Sequence, residues 1–182
     1  MKRTALMLMC MGLAACEAGD NGDLASVSAC IGTFSGGAVS TNVGGCSICG
    51  TSNGGLAVDG ARASYASLRL GDGATDLRAT APSGVVFPAG NFAGALMLIP
   101  QSYAPQTQWT VTTYLNGLPQ ESRTPANASG DDPANPTGTD DFYGFTSSMP
   151  FDAVEFHLSG GSPGINTSTV PEIRVYEFCG TR

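Results

Sequence analysis

The chain is expected to fold as an all-β protein, an antiparallel β-sandwich of the jelly-roll kind with little helix. Three observations carry that expectation. From Cys30 to Arg182 no stretch repeats apolar residues at spacings of three and four, and the 25 glycines and 11 prolines of the chain break its segments before a helix of ordinary length can grow. Short apolar segments bounded by Gly, Pro, Asn, Asp or Ser recur instead. One of them alternates strictly: Trp109, Val111, Thr113 and Leu115 interleave with Thr110, Thr112, Tyr114 and Asn116, the period of two of a strand with one buried face.

The expected strands are Tyr65–Leu70, Gly84–Phe87, Gly94–Ile99, Trp109–Leu115, Ala153–Leu158 and Glu172–Cys179. Ala95 to Ile99 is apolar throughout and suits a central strand. Asn116-Gly117 supplies a hairpin turn after the alternating strand. In Ala153–Leu158 the residues Val154, Phe156 and Leu158 are expected inside, with Glu155 and His157 facing water. Residues 122–141, SRTPANASGDDPANPTGTDD, have nothing to bury and read as one long loop.

Ahead of this domain, Lys2 and Arg3 precede an apolar run, Ala5 to Leu13, that is too short to span a bilayer and has the proportions of an export signal. The run ends in Leu13-Ala14-Ala15-Cys16, which resembles the lipobox of bacterial lipoproteins. That resemblance implies removal of residues 1–15, lipidation of Cys16 by several acyl chains, palmitate among them, and stable attachment, since one chain alone holds only marginally. The other reading is an ordinary secretory signal cut after Ala15, with Cys16 free or in a disulfide. Residues 16–29 are small, polar and acidic and suit a flexible tether, leaving 30–182 as a single domain. Glu17 after the lipid cysteine favours the outer membrane, facing the periplasm or the cell surface.

Loss of Lys2 and Arg3 reduces eight basic residues to six, all arginine, against fifteen acidic ones, a net charge of −9. Such a surface repels phosphate backbones and anionic headgroups, which excludes nucleic acid and electrostatic membrane docking. Of the six cysteines, Cys10 belongs to the leader and Cys16 to the lipid. Cys30, Cys46, Cys49 and Cys179 remain, and an exported chain is expected to hold them in two disulfides of open pairing. Cys46-Ser-Ile-Cys49 has the spacing of a redox motif, but glycine-rich flanks offer no helix N-terminus to lower a thiol pKa, so structural bridges are the better reading. Two cysteines and one histidine beyond the motif make a poor zinc set.

Ala57-Val-Asp-Gly, followed by Ser64-Tyr65, together with the terminal Pro171–Cys179 segment, resembles the first motif and closing strand of galactose-binding-like, discoidin-type jelly rolls. The resemblance implies a structural Ca2+ held by Asp59, Ser64 and Glu177 with carbonyls of Ala57 and Arg62. Calcium takes six to eight hard oxygens, and a tight Asp-Gly turn can aim several at one point. Glu177 shares strand parity with Ile173 and Val175, so a core-facing pair would carry Glu177 inward, where a carboxylate needs a cation or donors. The opposite phase puts Tyr176 and Phe178 inside and Glu177 in water, and Asp-Gly is a common turn. Ser64 stands where Thr is commoner in the family, and no Trp follows the Ser-Tyr pair.

The same resemblance implies a glycan ligand stacked on loop aromatics, with Tyr103, Phe142 and Tyr143 as candidates. Tyr and Phe also fill cores. His157, the one histidine, reads as a surface residue, no nucleophile motif accompanies it, and the acidic residues Asp131, Asp132, Asp140 and Asp141 read as a solvated loop. The Asn127 and Asn166 glycosylation sequons are incidental behind a bacterial leader. The function expected is a membrane-anchored, non-catalytic glycan-binding lipoprotein. The alternatives are a structural lipoprotein that packs against an envelope protein, and a glycan hydrolase or esterase.

Overall fold

The computed structural model describes residues 30, 32–44, 49–69, 71, 73–100, 108–127, 140–160 and 172–181. The expected leader and tether, with Cys16, therefore lie outside the described residues, as do Cys46 and Tyr103. The described chain forms eleven strands: β1 (Ala38–Gly44), β2 (Gly50–Ser52), β3 (Ala66–Arg69), β4 (Ala74–Thr80), β5 (Phe92–Leu98), β6 (Gln108–Leu115), β7 (Leu118–Arg123), β8 (Ala126–Asn127), β9 (Asp140–Thr146), β10 (Ala153–Ser159) and β11 (Ile173–Cys179). One short 3-10 turn, Gly54–Val58, joins them.

Five strands pair in the order β1-β4-β10-β6-β7 and six in the order β2-β3-β11-β5-β9-β8. Every pairing is antiparallel. The two sheets are the antiparallel β-sandwich the sequence calls for.

Alternation decides which side chains fill the space between the sheets. Leu77 and Ala79 of β4, Val154, Phe156 and Leu158 of β10, and Trp109 and Val111 of β6 are all buried in the main core. From the other sheet come Ala66, Leu68, Ala93, Ala95, Met97, Tyr143, Ile173, Val175 and Phe178. Apolar β5 is central, flanked by β11 and β9. A second, smaller cluster gathers Cys30, Leu96, Phe142 and Cys179, with Phe92 and Tyr176 packed on it. Leu96 pairs with Phe142 next to the core pair Ala95 and Tyr143, so this cluster covers the opposite face of the six-stranded sheet.

One expected strand is absent. Gly84–Phe87 forms a turn closed by Val85 N–H to the Pro82 carbonyl, with Gly84 at φ +84°, and Phe87 makes only an isolated bridge to Phe151. Val86 is half exposed, so no sheet face was on offer for this apolar run. The long loop is also shorter than expected. β7 runs to Arg123, β8 adds a second pairing, and β9 begins at Asp140, which leaves residues 128–139 outside the description. Asn116 and Gly117 form the β6–β7 turn as expected, with φ +52° and +80°.

Cys30 and Cys179 are bridged across 149 residues, and Cys49 is disulfide-bonded as well. At the bridged end Phe34 meets Phe87 at 5.1 Å and Phe178 at 6.0 Å, and Phe87 meets Phe151 at 5.1 Å. Gly180 must be glycine there, because a Cβ would lie 2.3 Å from the Phe87 ring. Thus the chain enters and leaves the sandwich at one end. Gly44, Arg69, Leu98 and Ser159, where β1, β3, β5 and β10 finish, and Asp140, where β9 starts, lie at the opposite end.

Phe178→Ala is expected to cost about 3–5 kcal/mol in urea unfolding, because the cavity would open among Phe34, Phe156 and the sheets. Replacing both Cys30 and Cys179 by Ser should cost about 5 kcal/mol in the chain-entropy account of so long a loop, and the same denaturation measures it.

Candidate functional site

At the bridged end the sequence-nominated carboxylates come together. Asp59 follows the 3-10 turn and closes a local turn of its own: Oδ1 accepts the Ala61 N–H at 2.8 Å, and Oδ2 lies 2.6 Å from the Ser64 hydroxyl. That hydroxyl also lies 2.9 Å from the Ala61 carbonyl. It holds one proton to donate, and its lone pairs stay available. Between Asp59 and Ala61 sits Gly60 at φ +78°, a conformation that side-chain-bearing residues rarely adopt. Its N–H donates to Glu177 Oε2 at 3.2 Å.

Glu177 is fully buried, but not by simple alternation. The register of β11 on β5 shifts between Val175 and Glu177, so Tyr176 and Glu177 together oppose Leu96. This is a β-bulge, which re-aims side chains at the edge of regular pairing. Ile173, Val175 and Phe178 all belong to the main core, and Tyr176 packs on the second cluster. Glu177 is therefore buried through the bulge and not through strand parity with Ile173 and Val175.

The Glu177 carboxyl is short of partners. Gly60 and Gly32 donate backbone N–H groups to it, while Oε1 is buried with no hydrogen-bond partner. Burial pushes its pKa up to about 7, nearby Asp59 adds to the rise, and the two glycine amides oppose it. An oxygen with that environment demands a proton or a cation. Asp59 is near enough to act on it electrostatically, and the Ser64 hydroxyl bonds Asp59 in turn, so the side chains next in line are oxygen-bearing, the type a hard divalent ion takes. Among the described residues no three His, Cys, Asp or Glu side chains gather at one point, so an ion here would draw on hydroxyl and carbonyl oxygens too. Ala57 is buried within the 3-10 turn and Arg62 is exposed just beyond Asp59.

The aromatic candidates fare differently. Phe142 and Tyr143 sit within β9, not in a loop, at 7% and 1% exposure. Phe142 packs edge-on to Phe92 at 6.3 Å, and Tyr143 is in the main core. Neither ring presents a face to a sugar, which corrects their assignment; β9 pairs with β5 over Asp140–Thr146, with Tyr143 turned into the main core and Phe142 into the second cluster. Asp140 and Asp141 likewise belong to β9, while Asp131, Asp132 and Tyr103 fall outside the described residues.

Other polar groups form fixed networks that the sequence did not reveal. On the outer face of the five-stranded sheet His157 Nδ1 pairs with Asp76 Oδ1, whose Oδ2 accepts from Asn42 at 3.2 Å. Arg78 lies 3.8 Å over the Tyr114 ring, and the Tyr114 hydroxyl donates to Glu155 at 2.8 Å. Burial, then that hydrogen bond, pushes the Tyr114 pKa up to about 12. These contacts follow from register, since Asp76 is directly opposite His157 and Arg78 opposite Glu155. At the end away from the bridge a surface cleft of about 300 Å³ is lined by Cys49, Gly50, Thr51, Ser52 and Arg69. Arg69 reaches Glu172 there at 3.2 Å.

No family model matches the chain. No curated protein matches it either. Among solved structures it is similar to a chitosan-binding module from a chitosanase/glucanase of Paenibacillus sp. IK-5, with TM-score 0.45 and 16% identity over 81% of this chain and 96% of the module. It is also similar to the CBM32-3 module of a family 31 glycoside hydrolase from Clostridium perfringens, with TM-score 0.46 and 11% identity over 86% of this chain and 98% of that one. The sandwich architecture rests on this chain's own strand pairing.

The raised pKa of Glu177 sets a sign for stability against pH. Between the unfolded value near 4.5 and the folded value of about 7 the native state holds the extra proton, so without a cation stability falls as pH rises through that window. The fall is at most about 3 kcal/mol. Chemical denaturation of Glu177→Gln in EDTA should lack this component, so the variant is expected to gain on the parent between pH 5 and pH 8.

Proposed function

We propose that this chain is a lipid-anchored, non-catalytic binding protein whose sandwich takes a glycan, with Cys16 as the lipidated residue. The carrying observation is the polarity of the fold. The described domain starts beside the Cys30–Cys179 bridge, while the strand ends Gly44, Arg69, Leu98, Asp140 and Ser159 and the 300 Å³ cleft are at the opposite end. A tether of residues 16–29 attached to a membrane through Cys16 would hold the bridged end inward and offer the far end to the surroundings. Tyr103 comes between Leu98 and Gln108 in the sequence and is the aromatic candidate that remains. The cleft and its edge supply Arg69, Glu172 and the Ser52 hydroxyl, the donor and acceptor types that hydroxyl-rich ligands take. The acidic, lysine-free surface selects neutral or cationic glycans over anionic ones.

Calcium belongs to the same proposal in a structural role. Glu177, Asp59 and Ser64 would hold it, with carbonyls near Ala57 and Arg62, and the buried Glu177 oxygen without a partner supports that reading. The ion would neutralise the buried charge and fix the 57–64 loop on β11. Placement in the outer membrane is part of the proposal and rests on the leader and Glu17.

Binding of the full chain in detergent to a broad glycan panel tests this. A selective signal among neutral or amino sugars, lost about tenfold or more in Tyr103→Ala, is expected. Turnover of a glycan or ester, or capture of one envelope protein without any sugar signal, would replace the reading by its rivals. Cys16→Ser should move the protein from the membrane to the soluble fraction on cell fractionation. Retention in the membrane would remove the lipid anchor.

A further inference from the structure

The bridge and the buried carboxylate are neighbours along both stretches of chain that meet at them. Glu177 lies two residues before Cys179, and Gly32, whose N–H donates to it, lies two residues after Cys30. Between them Thr33 Oγ1 accepts the Gly180 N–H at 3.1 Å and donates to the Phe178 carbonyl at 3.4 Å. On the other side Gly60, the second amide donor, rests on Ser35, since a Cβ at Gly60 would lie 3.2 Å from Ser35 Oγ. Gly36 N–H then bonds the Val58 carbonyl at 3.2 Å. Residues 32–36 thus form a cover that touches β11, the Asp59 turn and Glu177 at once.

We propose that the Cys30–Cys179 disulfide is a positioning element of the cation site, so that ion binding and the bridge are coupled. This rests on the calcium reading given above. The bridge keeps the cover down, and the cover keeps water from Glu177. A carboxylate sealed from water gains much from a cation, whereas one that water can solvate gains little. With the bridge open, residues 30–36 become the free end of a long tether, and they must be ordered again each time an ion binds. Coupling is reciprocal, so an ion that binds better to the bridged form also makes the bridge harder to reduce. That reduction by a dithiol passes two electrons and two protons to the sulfurs, leaving thiols on Cys30 and Cys179 and a disulfide in the reagent.

Calorimetric titration of CaCl2 into the full chain tests the coupling directly. The comparison is between the oxidised parent, Cys30→Ser/Cys179→Ser, which leaves the Cys49 disulfide intact, and Thr33→Val, which keeps the bridge but cuts the hydroxyl link. Affinity is expected to fall at least tenfold in the double Ser variant and about threefold in Thr33→Val. Dithiol titration of the parent, read by alkylation mapped to Cys30 and Cys179, should shift by the same tenfold in CaCl2 relative to EDTA. For a two-electron couple that is about 30 mV. Equal calcium affinity in all three folded chains overturns the coupling and leaves the ion site standing. If the double variant does not fold, an unchanged redox midpoint in calcium together with parent-like affinity in Thr33→Val overturns it. No calcium heat from the oxidised parent removes the ion site, and the coupling with it.

Discussion

Closing the chain on itself is the constraint on which the remaining structure depends. The Cys30–Cys179 bridge ties the segment before β1 to the end of β11, across almost the whole sandwich. Phe34 and Phe178 are thereby brought to 6.0 Å, Phe87 stacks between Phe34 and Phe151, and Gly180 gives way to the Phe87 ring. The same closure lays residues 32–36 over Glu177. A buried acid at a β-bulge is costly, and a fold keeps one only where the surroundings over-determine it. Here the bridge, the glycine amides and the Asp59 turn do so together.

That closure also gives the molecule a direction. Cys30 and Cys179 lie at one end, and Gly44, Arg69, Leu98, Asp140 and Ser159 lie at the other. Loops held by a rigid scaffold are where binding residues concentrate. The inward faces of β4, β10, β6, β5 and β11 supply much of the described core, and Ile99, just past β5, is buried with them. The polar networks of the outer five-stranded face, His157 with Asp76 and Tyr114 with Glu155, stiffen the scaffold on the way.

Much of the fold was legible where a single rule applied. The alternation of Trp109, Val111 and Thr113 and of Val154, Phe156 and Leu158 appears as buried faces, and the uninterrupted apolar run of β5 appears as a central strand. Strands whose inward residues are small or polar were missed. β4 buries Thr75, Leu77 and Ala79, and β1 is mostly exposed, so neither carries a strong apolar signal. Gly84–Phe87 misled for the converse reason, since β-branched residues stood where a turn left no partner strand. At the site, Asp59, Ser64 and Glu177 were legible through a motif, but the bulge that places Glu177 was not, because register shifts leave no mark on a two-residue period. Phe142 and Tyr143 were misplaced because loop composition ran up to them, whereas pairing with β5 decides their environment. The amide donors Gly32 and Gly60 could have been suspected only from their glycines, which adopt φ +84° and +78°.

A crystal structure of the chain grown in CaCl2 and soaked with the best ligand of the glycan panel tests the central claim most directly. An ion bonded to Glu177 Oε1 at the bridged end and a sugar at the opposite end, near the cleft of Gly50, Thr51 and Arg69, are expected. A sugar seated at the bridged end, or on the outer face around Tyr114 and His157, would contradict the polarity on which the account stands.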